Sequence, residues 1–146
     1  MGGTIIKYIE YCNGYGVFAN KNFRKNEIVF VFKGKIVDYR KVTHRGLQIE
    51  KKKWINPNKN NPGYYLNHSC NPNCGIKNSN KITAMKRIKK GEEITIDYSM
   101  MMELKNWDME CECQHKDCRK LIKSYKSIPN KLKKKYNGWV SDYIKK

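Results

Sequence analysis

The chain has 146 residues, 31 of them Lys or Arg against 13 Asp or Glu, for a formal net charge of +18. That length fits one domain with one modest core. A mean hydropathy of −0.84, with residues 28–32 as the longest strongly apolar run, argues against a membrane-embedded protein. The first residues have neither the basic-then-apolar layout of a secretory signal nor the Ser or Thr at position 6 that myristoylation needs, so a soluble intracellular protein with no membrane contact is expected.

In chain order, residues 4–11, 15–19, 28–32 and 35–38 read as strands. They are short and rich in Ile, Val, Phe and Tyr, and Gly14, Gly16, Asn26 and Gly34 punctuate them. Residues 56–63 read as a loop, since Pro57 and Pro62 deny regular hydrogen bonding there. Residues 82–88 and 93–98 read as two further strands joined at Lys89-Lys90-Gly91. One or two helical turns begin at a proline over 129–135. The pattern predicts a β-rich domain with a small cysteine-bearing appendage.

The basic excess has two readings. Of the basic residues 26 are Lys and 5 are Arg, beside 16 Asn and 15 Ile, the residues of A/T-rich codons, so genome composition explains part of it. The functional reading is an electrostatic footprint for a polyanion. Residues 1–110 carry +10 and residues 111–146 carry +8, with Lys131 and Lys133 to Lys135 in the dense part. Non-specific contact with nucleic acid or a nucleosome-like surface is the expectation, and base-specific reading is not.

Without a secretory signal the six cysteines point away from a disulfide framework. Cys111-x-Cys113-x4-Cys118 places three thiolates close together in a polar stretch, enough for three corners of a tetrahedral Zn²⁺ site. On spacing alone the fourth ligand is open among His115, Cys70 and Cys74. Cys12 and Cys74 read as small buried hydrophobes.

Asn67-His68-Ser69-Cys70-Asn71-Pro72-Asn73-Cys74, followed by Gly91-Glu92-Glu93-Ile94-Thr95-Ile96-Asp97-Tyr98, resembles the SET-domain protein lysine methyltransferases. Asn13-Gly14-Tyr15-Gly16-Val17-Phe18-Ala19 looks like the N-terminal GxG segment of that family, and Cys111-x-Cys113-x4-Cys118-Arg119 looks like its post-SET extension. The segment 107–110 and the chain past Leu121 look most like compact microbial or viral members. The resemblance implies a β-rich α+β fold, small sheets around a pseudoknot, with a SET domain over 4–100, a zinc-binding post-SET segment over 107–122 and a basic C-terminal tail over 123–146.

What the family does is carried over residue by residue. The resemblance implies S-adenosylmethionine as methyl donor, held by Asn13, Tyr15, Gly16, Asn67, His68 and the main chain of Glu112. It makes Cys70 the fourth zinc ligand beside Cys111, Cys113 and Cys118, with His115 as second choice. Tyr98 is implied as the catalytic residue, at the end of a lysine channel that Tyr65 and Ile96 also line. Ile96 stands where the family usually has Phe or Tyr, and a side chain without a hydroxyl there implies more than one methyl added. Tyr64-Tyr65 stands where the family often has Arg-Phe. The insert 39–63 lacks an evident aromatic strand, with Trp54 as a substitute or simply a core residue. A histone or other basic nucleic-acid-associated protein, and hence a nuclear or host-nuclear location, is the implied setting. The alternative is a non-catalytic SET-like module that docks on chromatin or nucleic acid.

Overall fold

The computed structural model describes residues 2–144, and among them are twelve short strands, four 3-10 turns and one short α-helix. Strands β1 (Thr4–Ile9) and β2 (Gly14–Ala19) are joined by a tight turn that ends with Asn13 in the left-handed region at φ 49°, a conformation Asn tolerates better than most residues. They pair antiparallel in full register, Thr4 opposite Ala19 to Ile9 opposite Gly14. Next come β3 (Ile28–Val31), β4 (Lys35–Val37), β5 (Leu47–Glu50), β6 (Lys53–Asn56) and β7 (Asn67–His68). The hairpin of β8 (Cys74–Lys77) and β9 (Lys81–Ala84) turns through Asn78 and Ser79, both at positive φ. Strand β10 (Glu93–Ile96), strands β11 (Asp108–Glu110) and β12 (Leu121–Lys123), and helix α1 (Asn130–Lys135) complete the chain.

Four small sheets result, in the orders β1-β2-β10-β7, β3-β9-β8, β4-β6-β5 and β11-β12. The inner faces of the first three share one core that includes Val17, Phe32, Leu47, Ile76, Ile82, Ile94 and Ile96. This β-rich arrangement of small sheets agrees with the fold class read from the sequence. The insert 39–63 is where the sequence reading fell short, because β5 and β6 form a hairpin on β4. Trp54, on β6, is only 2% exposed. Three lysines at the turn, Lys51 to Lys53, mask the short apolar stretches on either side.

The segment read as a basic tail over 123–146 is described to residue 144; Lys145 and Lys146 lie outside the described residues. It packs into the same core through Ile128, Tyr136, Val140 and Ile144, while most of its lysines face outward. Burying side chains of that size contributes about 1.5–3 kcal/mol each. Backbone bonds fix the path: Ile76 N–H donates to the Trp139 carbonyl at 2.8 Å, and the Ser141 hydroxyl donates to the Gln48 carbonyl at 2.8 Å. Gly75 permits the approach, since a Cβ there would sit 2.7 Å from the Trp139 Cβ. A smaller apolar cluster of Cys70, Cys111 and Ile122, with Trp107 and Met109 against it, lies under the cysteine-rich segment.

Candidate active site

The parallel pair of β7 with β10 brings the two long motifs side by side, with Asn67 opposite Thr95 and His68 opposite Ile96. Two asparagines cross-link them. The Asn67 side-chain amide donates to the Tyr15 carbonyl at 2.9 Å and to the Glu93 carboxylate at 3.0 Å. Asn73 donates to the Glu93 carbonyl at 2.8 Å and accepts the Thr95 N–H at 2.9 Å. Gly16 sits where these groups converge: a Cβ would lie 2.6 Å from the Ile9 Cδ1 and 2.8 Å from the Glu93 carboxylate. Glu93 itself is pushed up from the usual carboxylate range by burial, against the opposing Asn67 bond. No role for Glu93 was read from the sequence, although it lies within the quoted motif.

Tyr98 follows β10 at the start of a single 3-10 turn, whose first residue is capped by the Asp97 carboxylate accepting the Ser99 N–H at 3.0 Å. Its hydroxyl donates to the Leu66 carbonyl at 2.6 Å. Burial pushes the phenol up to about 12, with Glu93 adding to the rise and Arg45 opposing it. The backbone N–H of Tyr98 donates to His68 Nδ1 at 3.0 Å. Burial holds the His68 ring near 4, with Asp97 opposing and Arg119 assisting, so the ring is neutral at pH 7. Its proton therefore sits on Nε2, which lies 3.4 Å from the Cys70 sulfur. The Asp97 carboxylate 3.7 Å from Nδ1 is accordingly no ion pair.

Tyr98 lines a groove of about 580 Å³ together with Tyr39, Trp54, Met102, Leu104 and Trp107. Most of the wall is aromatic or apolar, and Arg40, Thr43, His44 and Asp108 complete it. Among the described residues, the Trp54 indole N–H is the one buried side-chain polar group without a partner. Outside this groove, Tyr8, Tyr15, Tyr65 and Tyr64 meet edge to face in sequence, with centroids 5.6, 6.1 and 5.0 Å apart. Tyr15 is 55% exposed, Tyr8 donates to the Asn13 side-chain oxygen, and the Tyr65 hydroxyl donates to the Lys59 carbonyl at 3.2 Å. Ile96 is fully buried in the core. Glu112 is exposed between its flanking cysteines.

The sulfurs of Cys70, Cys111, Cys113 and Cys118 all lie within 4.8 Å of one another, Cys70 and Cys111 at 3.9 Å. A tetrahedral zinc site with bonds of about 2.3 Å needs sulfurs about 3.8 Å apart, so the four fit that ion. His115 is not among them: its Nδ1 accepts the Asp117 N–H at 3.1 Å. Cys74 is fully buried, as read, whereas Cys12 is exposed, with its thiol donating to the Ile9 carbonyl at 3.7 Å.

Two groups escaped the sequence reading. Arg45 Nε donates to the Tyr64 carbonyl at 2.9 Å, its guanidinium lies 4.0 Å from the Tyr64 ring centroid, and it lines a small cavity with Leu66 and Tyr98. It comes from the insert, too far along the chain for any local motif to reveal it. Buried Asp97 receives Arg119 through both guanidinium nitrogens, at 2.7 and 3.0 Å, and the Tyr136 hydroxyl at 2.7 Å. The Asp97-Tyr98 motif and Arg119 were visible in sequence, but their meeting was not.

Residues 14–99 match the family model described as SET domain. Relatives include a histone-lysine N-methyltransferase, mes-4, of Caenorhabditis elegans, 28% identical over 73% of this chain and 15% of that protein. ASHH3 of Arabidopsis thaliana is 28% identical over 75% of this chain and 35% of the relative. An H3 lysine-36 specific histone-lysine N-methyltransferase of Coccidioides immitis is 31% identical over 60% and 11%. The chain thus spans about a third or less of the length of these curated relatives.

Proposed function

The chain belongs to the SET-domain family, and from that premise we propose that it is a protein-lysine N-methyltransferase that takes its methyl group from S-adenosylmethionine. The observation that carries the reading is Tyr98 lining a largely aromatic groove, its hydroxyl oriented by the Leu66 carbonyl. The substrate is a segment of histone or another basic, nucleic-acid-associated protein, consistent with what the relatives are named for.

On the donor side, exposed Tyr15 and the turn at Asn13 offer aromatic and polar backbone surface, with Glu93 half-buried beside them. Such surroundings suit a cation beside aromatic faces and a carboxylate. Asn67 contributes by holding the Tyr15 carbonyl and Glu93 in place. His68, whose ring is occupied by Tyr98 N–H and Cys70, contributes through position. The zinc, held by the four cysteines, would pin residues 111–118 against this side of the domain and supply no chemistry of its own.

When bound, the donor supplies an electrophilic methyl on sulfur. The lysine must arrive as the neutral amine, having lost its proton to solvent, and the new N–C bond forms in line as the C–S bond breaks. An apolar groove disfavours the ammonium form. Arg45, beside Tyr98, works in the same direction. A phenol raised to about 12 stays protonated at neutral pH, which favours positioning over general-base work. With its own proton committed to Leu66, the Tyr98 oxygen accepts from the amine N–H and aligns the lone pair.

The test is transfer of labelled methyl from S-adenosylmethionine to core histones, free and in nucleosomes. Wild-type protein should label them, and Tyr98→Phe should be about ten- to a hundred-fold slower, the scale of one lost orienting hydrogen bond. Histone binding without any transfer would return the chain to the reading of a non-catalytic module.

A further inference from the structure

A second recess lies apart from the groove at Tyr98, between the cysteine cluster and α1. It measures about 370 Å³, with Asn71, His115 and Arg119 on one wall and Lys131 and Lys135 on the other. The two lysines are one helical turn apart, so their ammonium groups share a stripe of α1. Both are exposed, and Lys135 Nζ lies 3.5 Å from the Asn71 side-chain oxygen. His115 Nδ1 accepts the Asp117 N–H at 3.1 Å, so Nε2 is the ring nitrogen left for a ligand. A single carboxylate, Asp117, borders the recess.

Both walls are tied to one buried group. Arg119 grips Asp97 from the cysteine side, and Tyr136, the residue after α1, donates to the same carboxylate. The two walls are thus held at a fixed separation, so an anion that binds there has to order only the lysine side chains. The surroundings extend the charge beyond one anion. Residues 114–144 hold nine Lys or Arg against Asp117 and Asp142, and Asp142 accepts the Ser79 hydroxyl at 3.1 Å. Codon bias alone does not concentrate +8 into residues 111–146 when the threefold longer remainder carries +10.

We propose that this recess seats a backbone phosphate of nucleic acid, with the flanking lysines meeting neighbouring phosphates. The seat would hold the nucleic acid of a substrate complex while the target lysine occupies the groove. Only that last clause rests on the methyltransferase reading.

The experiment measures binding of the full zinc-loaded chain to a fluorescent DNA duplex of about 20 base pairs over a salt series, with no donor or peptide present. Two charge-matched variants are compared, Lys131→Glu/Lys135→Glu in the recess and Lys51→Glu/Lys52→Glu in the turn between β5 and β6. The recess variant should bind at least about tenfold more weakly, and its log–log salt slope should be smaller by about 2, since each neutralised phosphate contributes about 0.9. The turn variant should lose under about threefold. Lys131→Gln/Lys135→Gln should reproduce most of the loss without charge reversal. Equal losses in the two reversed variants, or no duplex binding by the wild type, would overturn the site. Methylation of a short peptide is read in parallel and should be unchanged in both reversed variants. Recess-dependent duplex binding in a chain that transfers no methyl would uphold the site while removing the enzymatic reading.

Discussion

At Tyr98 the phenol donates its proton to the Leu66 carbonyl, and the residue lines the groove. Arg45 supports this arrangement twice over, by holding the Tyr64 carbonyl two residues before Leu66 and by placing a positive charge beside the phenol. Arg45→Gln removes a charged hydrogen bond worth about 1.5–3 kcal/mol. It should lower kcat by about tenfold with zinc content unchanged. Losing that cation also makes the substrate ammonium easier to keep, so the rising limb of the pH–rate profile should move to higher pH. Arg45→Lys should retain the position of that limb while still losing rate, because one ammonium cannot reproduce the planar contact with Tyr64. Ile96 sets the second expectation at this scale. Of the two tyrosines that could replace the missing hydroxyl, Tyr65 has its hydroxyl engaged with the Lys59 carbonyl, and the Tyr64 ring is stacked against Arg45. The wild-type chain should therefore reach di- or trimethyl-lysine on an exhaustively methylated peptide. Ile96→Tyr should shift the products to monomethyl, as read by mass spectrometry. A strict monomethyl product from the wild type would sink the reading of Ile96.

Among the elements, the cysteine cluster is the one whose four sulfurs lie close enough together to hold a metal ion. Its ligands come from the loop after β7 and from the polar stretch between β11 and β12. Elemental analysis should find one zinc per chain. Cys70→Ser and Cys113→Ser should lose it, and Cys12→Ser and Cys74→Ser should keep it. Chelation should also weaken donor binding, since the 111–118 segment would regain its chain entropy. The legibility of the elements varied for physical reasons. Strands β1 to β4 and β10 carry dense β-branched and aromatic residues, so their pattern survives without context. The hairpin of β5 and β6 does not stand out, because Gln48 and the Lys51 to Lys53 run interrupt its apolar residues. The C-terminal segment was read by its lysines, although Tyr136, Val140 and Ile144 are the residues that decide its place. Within the site, the motif residues were visible because their neighbours are sequential. Arg45 was not, because its partners lie about twenty residues further along the chain.

For the molecule as a whole, Asp97 joins three regions: its own strand end, the cysteine-rich segment through Arg119, and the C-terminal segment through Tyr136. Burial acts to raise its carboxyl, but the paired Arg119 bonds and the Tyr136 hydroxyl outweigh it and hold the group below the usual carboxylate range. A carboxyl whose native value is lowered adds stability that is fully present above its unfolded value of about 3.9 and is lost as pH falls through the native value. The melting temperature should accordingly hold through neutral pH and fall steeply below about pH 4. Asp97→Asn should be destabilised at neutral pH by about 1.5–3 kcal/mol, because it takes the carboxylate partner from half-buried Arg119. Its acid-side decline should be shallower than that of the wild type. Thermal unfolding at pH 7 and pH 4 reads both, and parallel declines would remove Asp97 from that role.

The parallel pairing of β7 with β10 also has a kinetic consequence. Cys70 stands two residues beyond a strand that must first find a partner more than twenty residues later, and its three companion sulfurs arrive later still. Pairings that distant in sequence form slowly. A complete tetrahedral sulfur cage therefore exists only once the central sheet has closed. During refolding, uptake of the ion into a four-sulfur site should follow the formation of that sheet with the same time constant, so that metal capture becomes a clock for the last step of assembly.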